Sequence, residues 1–72
     1  MTRHVLGHTF HLIGGVWVDG AFDAKMEDKV EKVRAFSDEY FELLQQHPDL
    51  AKILALSSRM LVVVAGRAVE IL

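Results

Sequence analysis

The sequence predicts a small α+β domain: an antiparallel or mixed sheet of about five strands carrying a helical pair on one face. Three observations lead there. Two β-favouring runs flank Gly14-Gly15, a capped helical stretch with a Pro48 break occupies the middle, and a second pair of extended runs closes the chain. The order is β-β-β-α-α-β-β, and such an order suits strands on one layer and helices on another. Residues 1–72 form a single domain, because 72 residues leave no room for a second core.

The first hairpin is the strongest local signal. His8 to Ile13 and Val16 to Val18 are rich in β-branched and aromatic residues, and two glycines between them suit the positive φ angles of a tight turn. Asp19-Gly20 is then either a second turn or a bulge that lets Ala21 and Phe22 extend the strand.

The segment after it reads two ways. Met26, Val30, Val33, Phe36, Tyr40, Phe41 and Leu44 recur at spacings of three and four, which fits one long amphipathic helix. Ser37-Asp38-Glu39, however, is a helix start: the hydroxyl can accept an exposed backbone N–H, and the acids face the positive helix end. The second reading is therefore a strand from Val30 to Ala35 and a helix from Asp38 to Gln46, with Tyr40, Phe41 and Leu44 on its buried side. Pro48 stops that helix and suits the first turn of another, Asp49 to Leu56, which uses Leu50, Ile53, Leu54 and Leu56 as its apolar side and closes at Ser57-Ser58.

The last third is extended. Arg59 to Val64 is short and β-branched, Ala65-Gly66-Arg67 is a turn, and Ala68 to Leu72 places Val69 and Ile71 opposite Glu70. Met60 to Val64 is apolar on both faces, the pattern of a central strand covered on each side.

Composition narrows the functional classes. Net charge is -2 and the charges are interspersed, so no basic face is available for phosphates and no nucleic-acid partner is expected. Lys25 to Arg34 mixes both signs and reads as a solvated face. No amino-terminal signal is legible, and the longest apolar run, Met60 to Ala65, falls far short of the ~20 residues that span a bilayer, so no membrane insertion is expected. The chain has no cysteine, so no disulfide can staple a body that buries only about 60% of its unfolded surface. A hydrophobic fraction of 51% in so small a domain suggests that something outside the chain covers part of it.

Chemistry has few candidates. His4, His8 and His11 lie close in sequence, and three converging imidazoles can hold zinc. On extended chain His8 and His11 point to opposite faces, while His4 and His8 share a face but sit ~13 Å apart. No metal site or cofactor is therefore assigned, although a metal- or ligand-binding module using these histidines, with Trp17, is the alternative reading. The serines are accounted for as helix ends, no nucleophile elbow occurs, and no catalytic residue is assigned. Phe10, Trp17, Tyr40 and Phe41 read as core between hairpin and helix. Trp17 faces away from Val16 and Val18, and so acts either as an interface anchor or as a cover for the second face of the sheet.

Several stretches together carry a resemblance. Thr9-Phe10, Gly15 to Asp19, Phe36 to Leu44 and Pro48-Asp49-Leu50 stand with Leu54-Ala55-Leu56, Val62-Val63-Val64 and Val69-Glu70-Ile71. Across nearly the whole chain they resemble a carboxy-terminal module of bacterial proteins that combine a VIT domain with a von Willebrand factor A-type domain. The resemblance implies an extended segment before Ser37, an excised or stand-alone module, and a role in contacts within a parent chain or between copies. It does not bring the metal-dependent adhesion site, since no Asp-x-Ser-x-Ser stretch is present.

The expected function is thus a non-enzymatic protein-interaction or self-association module, the partner being parent-chain domains or a second copy in a homo-oligomer. Trp17, Met60, Val62, Val64, Val69 and Ile71 are the candidate contact residues, with Ala68 to Leu72 offered as a free edge for a partner's sheet.

Overall fold

The computed structural model of the chain describes residues 1–55 and 59–72. The expected contribution of Leu56 and the closure at Ser57-Ser58 lie outside the described residues. The fold is α+β, and its sheet is mixed and six-stranded. Strands β1 (Thr2–Val5), β2 (His8–Ile13) and β3 (Val16–Asp19) form a meander. A 3-10 helix (Ala24–Lys29) then leads into β4 (Glu31–Val33). Helices α1 (Asp38–Gln46) and α2 (Leu50–Leu54) follow, and β5 (Met60–Val64) and β6 (Arg67–Ile71) form the last hairpin. Across the sheet the order is β1-β2-β3-β5-β6-β4.

The additional strand is β1, which raises the expected five to six. Thr2, Arg3 and His4 are exposed, so no apolar alternation announced it. Its turn is Leu6-Gly7, with φ of 50° and 82°, the same two-residue form as Gly14-Gly15. In the second hairpin the structure follows the expectation, pairing Ile13 with Val16 across the two glycines. Asp19-Gly20 is resolved as a turn rather than a bulge: β3 ends at Asp19, and the Phe22 N–H donates to the Asp19 carbonyl at 3.0 Å.

Residues 24–36 follow neither reading entirely. A single long helix is absent, and the strand ahead of Ser37 is Glu31–Val33, shorter than Val30 to Ala35. The 3-10 helix is capped by Asp23, whose side chain accepts the Lys25 N–H at 2.9 Å, and it gives way to extended chain at Val30. Phe36, at φ 65°, is a second break, because a left-handed residue cannot continue a right-handed helix. Ser37 then caps α1: its Oγ accepts the Tyr40 N–H at 3.3 Å and donates to the Arg34 carbonyl at 2.7 Å. On α1 the buried residues are Tyr40 and Leu43, with Leu44 half-buried, whereas Phe41 is 50% exposed. Phe41 therefore leaves the expected core cluster, since the inward stripe runs through Tyr40, Leu43 and Leu44 and turns it outward.

One face of the sheet makes the core. Residues paired directly across strands share a face, and the registers Phe10–Asp19, Leu12–Trp17, Met60–Ile71 and Val62–Val69 put Phe10, Trp17, Met60, Val62, Val69 and Ile71 on the same side. The parallel register Trp17–Met60 joins the two sets. Tyr40, Leu43, Leu50, Ile53 and Leu54 cover them from the helices. On the opposite side of β5, Leu61 and Val63 are only half-buried, so this central strand is sealed on one face and partly open on the other.

Two halves of the sheet meet at a short seam. β3 and β5 pair in parallel over two positions, Trp17–Met60 and Val18–Leu61, and the Trp17 N–H adds a bond to the Arg59 carbonyl at 3.3 Å. On the far side β4 pairs with β6 in parallel, and the Leu72 N–H extends that ladder to the Val33 carbonyl at 2.9 Å.

The break at Ser37 yields a direct test. Ser37→Ala removes both bonds of the cap and is expected to lower unfolding free energy by about 1 kcal/mol, measured by urea denaturation. Ser37→Asp, which keeps an acceptor, should retain most of that stability; equal losses in both variants would show that the cap does not define the helix start.

A buried carboxylate and an oriented histidine

Asp19 is the buried charged residue of the described chain, 2% exposed at the end of β3. Three donors account for it. Its Oδ1 accepts the Ala21 N–H at 3.0 Å, and its Oδ2 accepts the Val63 N–H at 3.0 Å and faces His8 Nδ1 at 2.7 Å. The Val63 bond lies just beyond the last backbone pair of β3 and β5, so the carboxylate extends the seam by one rung. An unpaired carboxylate at this depth would be costly; one that meets three donors is not. Both oxygens serve as acceptors, so Nδ1 carries the hydrogen of the His8 bond.

His8 is held in two ways. Asp19 fixes Nδ1, and the imidazole stacks on Phe10 at 5.9 Å between centroids and 17° between planes. Phe10 is itself fully buried. The ring remains 28% exposed and borders a cleft of about 450 Å³ at one end of the sheet. The Leu6-Gly7 turn, the β5–β6 turn and the joint between the helices at His47-Pro48 bring its walls together, over Leu50 and Ile53.

The other histidines lie elsewhere. The Leu6-Gly7 turn puts His4 and His8 on different strands and, through the registers His4–Thr9 and Val5–His8, on opposite faces. The expectation that they share a face is corrected by that turn. His4 Nδ1 meets Thr9 Oγ1 at 3.0 Å and His11 Nδ1 meets Thr2 Oγ1 at 3.4 Å. Among the described residues no group of three His, Cys, Asp or Glu side chains is placed to hold a metal ion.

The candidate contact residues fall mainly within the core. Met60, Val62, Val69 and Ile71 are 0–2% exposed beneath the helices. Trp17 is buried as well, with the Arg3 guanidinium carbon 5.3 Å from its ring centroid. Val64 is half-buried and lines the His8 cleft. The carboxy-terminal strand is not a free edge: β6 lies between β5 and β4, and the sheet's outer strands are β1 and β4. Parallel pairing with β4, thirty-eight residues away in no local pattern, occupies the edge that the sequence left open.

A different apolar surface is exposed. Phe36 is 75% exposed, Phe41 50% and Leu72 47%. Phe36 sits 5.3 Å from Tyr40 and 6.5 Å from Phe41, and Tyr40 meets Phe41 edge-on at 5.4 Å and 86°. Beside them lies an apolar groove of about 410 Å³ whose lining includes Leu44, Ala51, Leu54 and Ala55. No helix among the described residues is long and apolar enough to cross a membrane. No family model, curated protein or solved structure matches the chain.

Asp19→Ala leaves the Val63 and Ala21 N–H groups and His8 Nδ1 without their partner. The expected loss is about 2–4 kcal/mol of unfolding free energy, read from urea denaturation together with faster hydrogen exchange at the Val63 amide. A loss below about 1 kcal/mol would show that the seam closes without the carboxylate.

Proposed function

We propose that this chain is a protein-contact module without chemistry of its own, and that its partner is a second copy of itself. The single observation that carries the reading is Phe36. A bulky residue at φ 65° is a backbone outlier, and left-handed positions are held most cheaply by Gly or Asn. Strain of this kind costs on the order of 1–3 kcal/mol. With 75% of its surface in water, Phe36 recovers little of that by burial in the monomer. The side chain is therefore better accounted for by a contact outside the chain.

A second copy fits because the same patch carries both halves of a joint. The exposed Phe36 itself stands on the wall of the groove along Leu44, Ala51, Leu54 and Ala55, so the side chain to be covered and the receiving surface adjoin. Two copies related by a two-fold axis would each place Phe36 in the other's groove, the self-complementary arrangement of a symmetric dimer. Phe41 and Leu72, both half-exposed, would widen the apolar contact. Kinship with the carboxy-terminal module of VIT and von Willebrand factor A-type proteins belongs to the same proposal. Its support is the extended stretch ahead of Ser37, which that kinship implies and which β4 supplies.

Sedimentation velocity from micromolar to millimolar concentration tests the pairing. The wild type should shift from monomer to dimer, and Phe36→Asn should weaken dimerisation at least about tenfold while leaving the monomer's unfolding midpoint unchanged or higher. A single monomeric species at every concentration would overturn self-association. A marked drop in monomer stability on Phe36→Asn would instead make Phe36 a structural residue.

A further inference from the structure

We propose that the cleft at His8 is a binding site for a small, largely apolar molecule bearing one hydroxyl group, whose O–H donates to His8 Nε2. The inference stands apart from self-association, since the cleft and the Phe36 patch are built from different residues.

Because Nδ1 donates to Asp19, the neutral imidazole keeps its lone pair on Nε2, which makes that atom an acceptor. Nε2 lies on the side of the ring away from Asp19, and no partner for it is found among the described residues. Phe10 stacking and the Asp19 bond remove the ring's freedom, and Asp19 is held in turn by the Ala21 and Val63 amides. An acceptor held in place by these neighbouring bonds loses little entropy when a donor arrives.

The surroundings define the ligand class. Leu6, Leu50, Ile53 and Val64 offer apolar contact, and a volume of about 450 Å³ lies within the range of roughly 300–1,000 Å³ common to small-molecule sites. His47 and Asp49 stand on the same lining, and the Asp49 side chain makes no capping bond to its helix. The site is proposed for binding alone.

Phenol and toluene, nearly identical in shape, separate recognition of a hydroxyl from simple filling of an apolar hollow. Titrated into the wild-type chain and followed by NMR, phenol should give saturable shifts at His8, Leu6, Ile53 and Val64, with toluene at least about tenfold weaker. In 15N spectra of the same unmutated protein, the neutral His8 ring should carry its hydrogen on Nδ1, and phenol should shift Nε2 more than Nδ1. Equal affinity for the two probes, or no saturation with phenol, would overturn the site. A hydrogen found on Nε2 in the neutral ring would do so as well, because the acceptor would not exist.

Discussion

The whole sheet depends on a seam two residues long. Among the described residues the strand pairing between the β1-β2-β3 meander and the β5-β6-β4 unit is confined to Trp17 and Val18 with Met60 and Leu61. Parallel pairing is slightly weaker per residue than antiparallel pairing, so this is a thin join for a six-stranded layer. Asp19 lengthens it with a side chain, accepting the Val63 N–H that no backbone carbonyl of β3 reaches. On the core side Phe10, Trp17, Met60 and Val62 cross the same line and are capped by the helices. The seam is thus held by apolar packing on one face and by one carboxylate in the plane of the ladder.

That arrangement explains which features were legible in the sequence. The hairpin at Gly14-Gly15, the cap at Ser37 and the stop at Pro48 are local: each depends on residues within a few positions, and each stands where the residues put it. The hairpin at β1 was local too, but it was written in polar residues. An edge strand needs no apolar alternation, because one of its neighbours is water. Sheet order is a different kind of information. Nothing in Ala68 to Leu72 or in Glu31 to Val33 announces that they pair, and the charged β4 would have served as well on a surface loop. Reading β6 as an edge followed from having no means to see that partner.

Asp19 was hidden for a related reason. In a run ending Val18-Asp19-Gly20, an aspartate before glycine is explained sufficiently by a turn, and the turn is indeed there. Its second task, serving a strand forty-four positions away, has no local sign. The closest available clue was the period of β2, which puts His8 on the Phe10 face and so beneath the sheet's core side, an odd position for an imidazole without a partner. Phe36 stood on a helix face in one of the two readings of residues 26–44. Spacings of three and four made it a helix-face residue, and only the positive φ ahead of Ser37 removes it from that face and leaves it in water.

The two proposed sites share one property. At Phe36 the backbone adopts a conformation its side chain disfavours, and at Asp19 a charge is taken out of water at the point where the sheet can least tolerate an error. Within the strands and helices residue preference, hydrophobic pattern and final structure agree, as a funnelled sequence requires, while Leu6 and Ala65 depart from it at φ 50° in hairpin turns. Departures from that agreement need a compensating term. For Asp19 the term is visible within the chain, in three donors and a closed seam, and what is left over is the outward nitrogen of His8. For Phe36 the internal term is small, since two tilted aromatic contacts leave the residue 75% exposed. The structural residue and the outward-facing one are distinguished by that balance: Asp19 is accounted for from inside the fold, and Phe36 is the residue on which the proposed contact outside the fold rests.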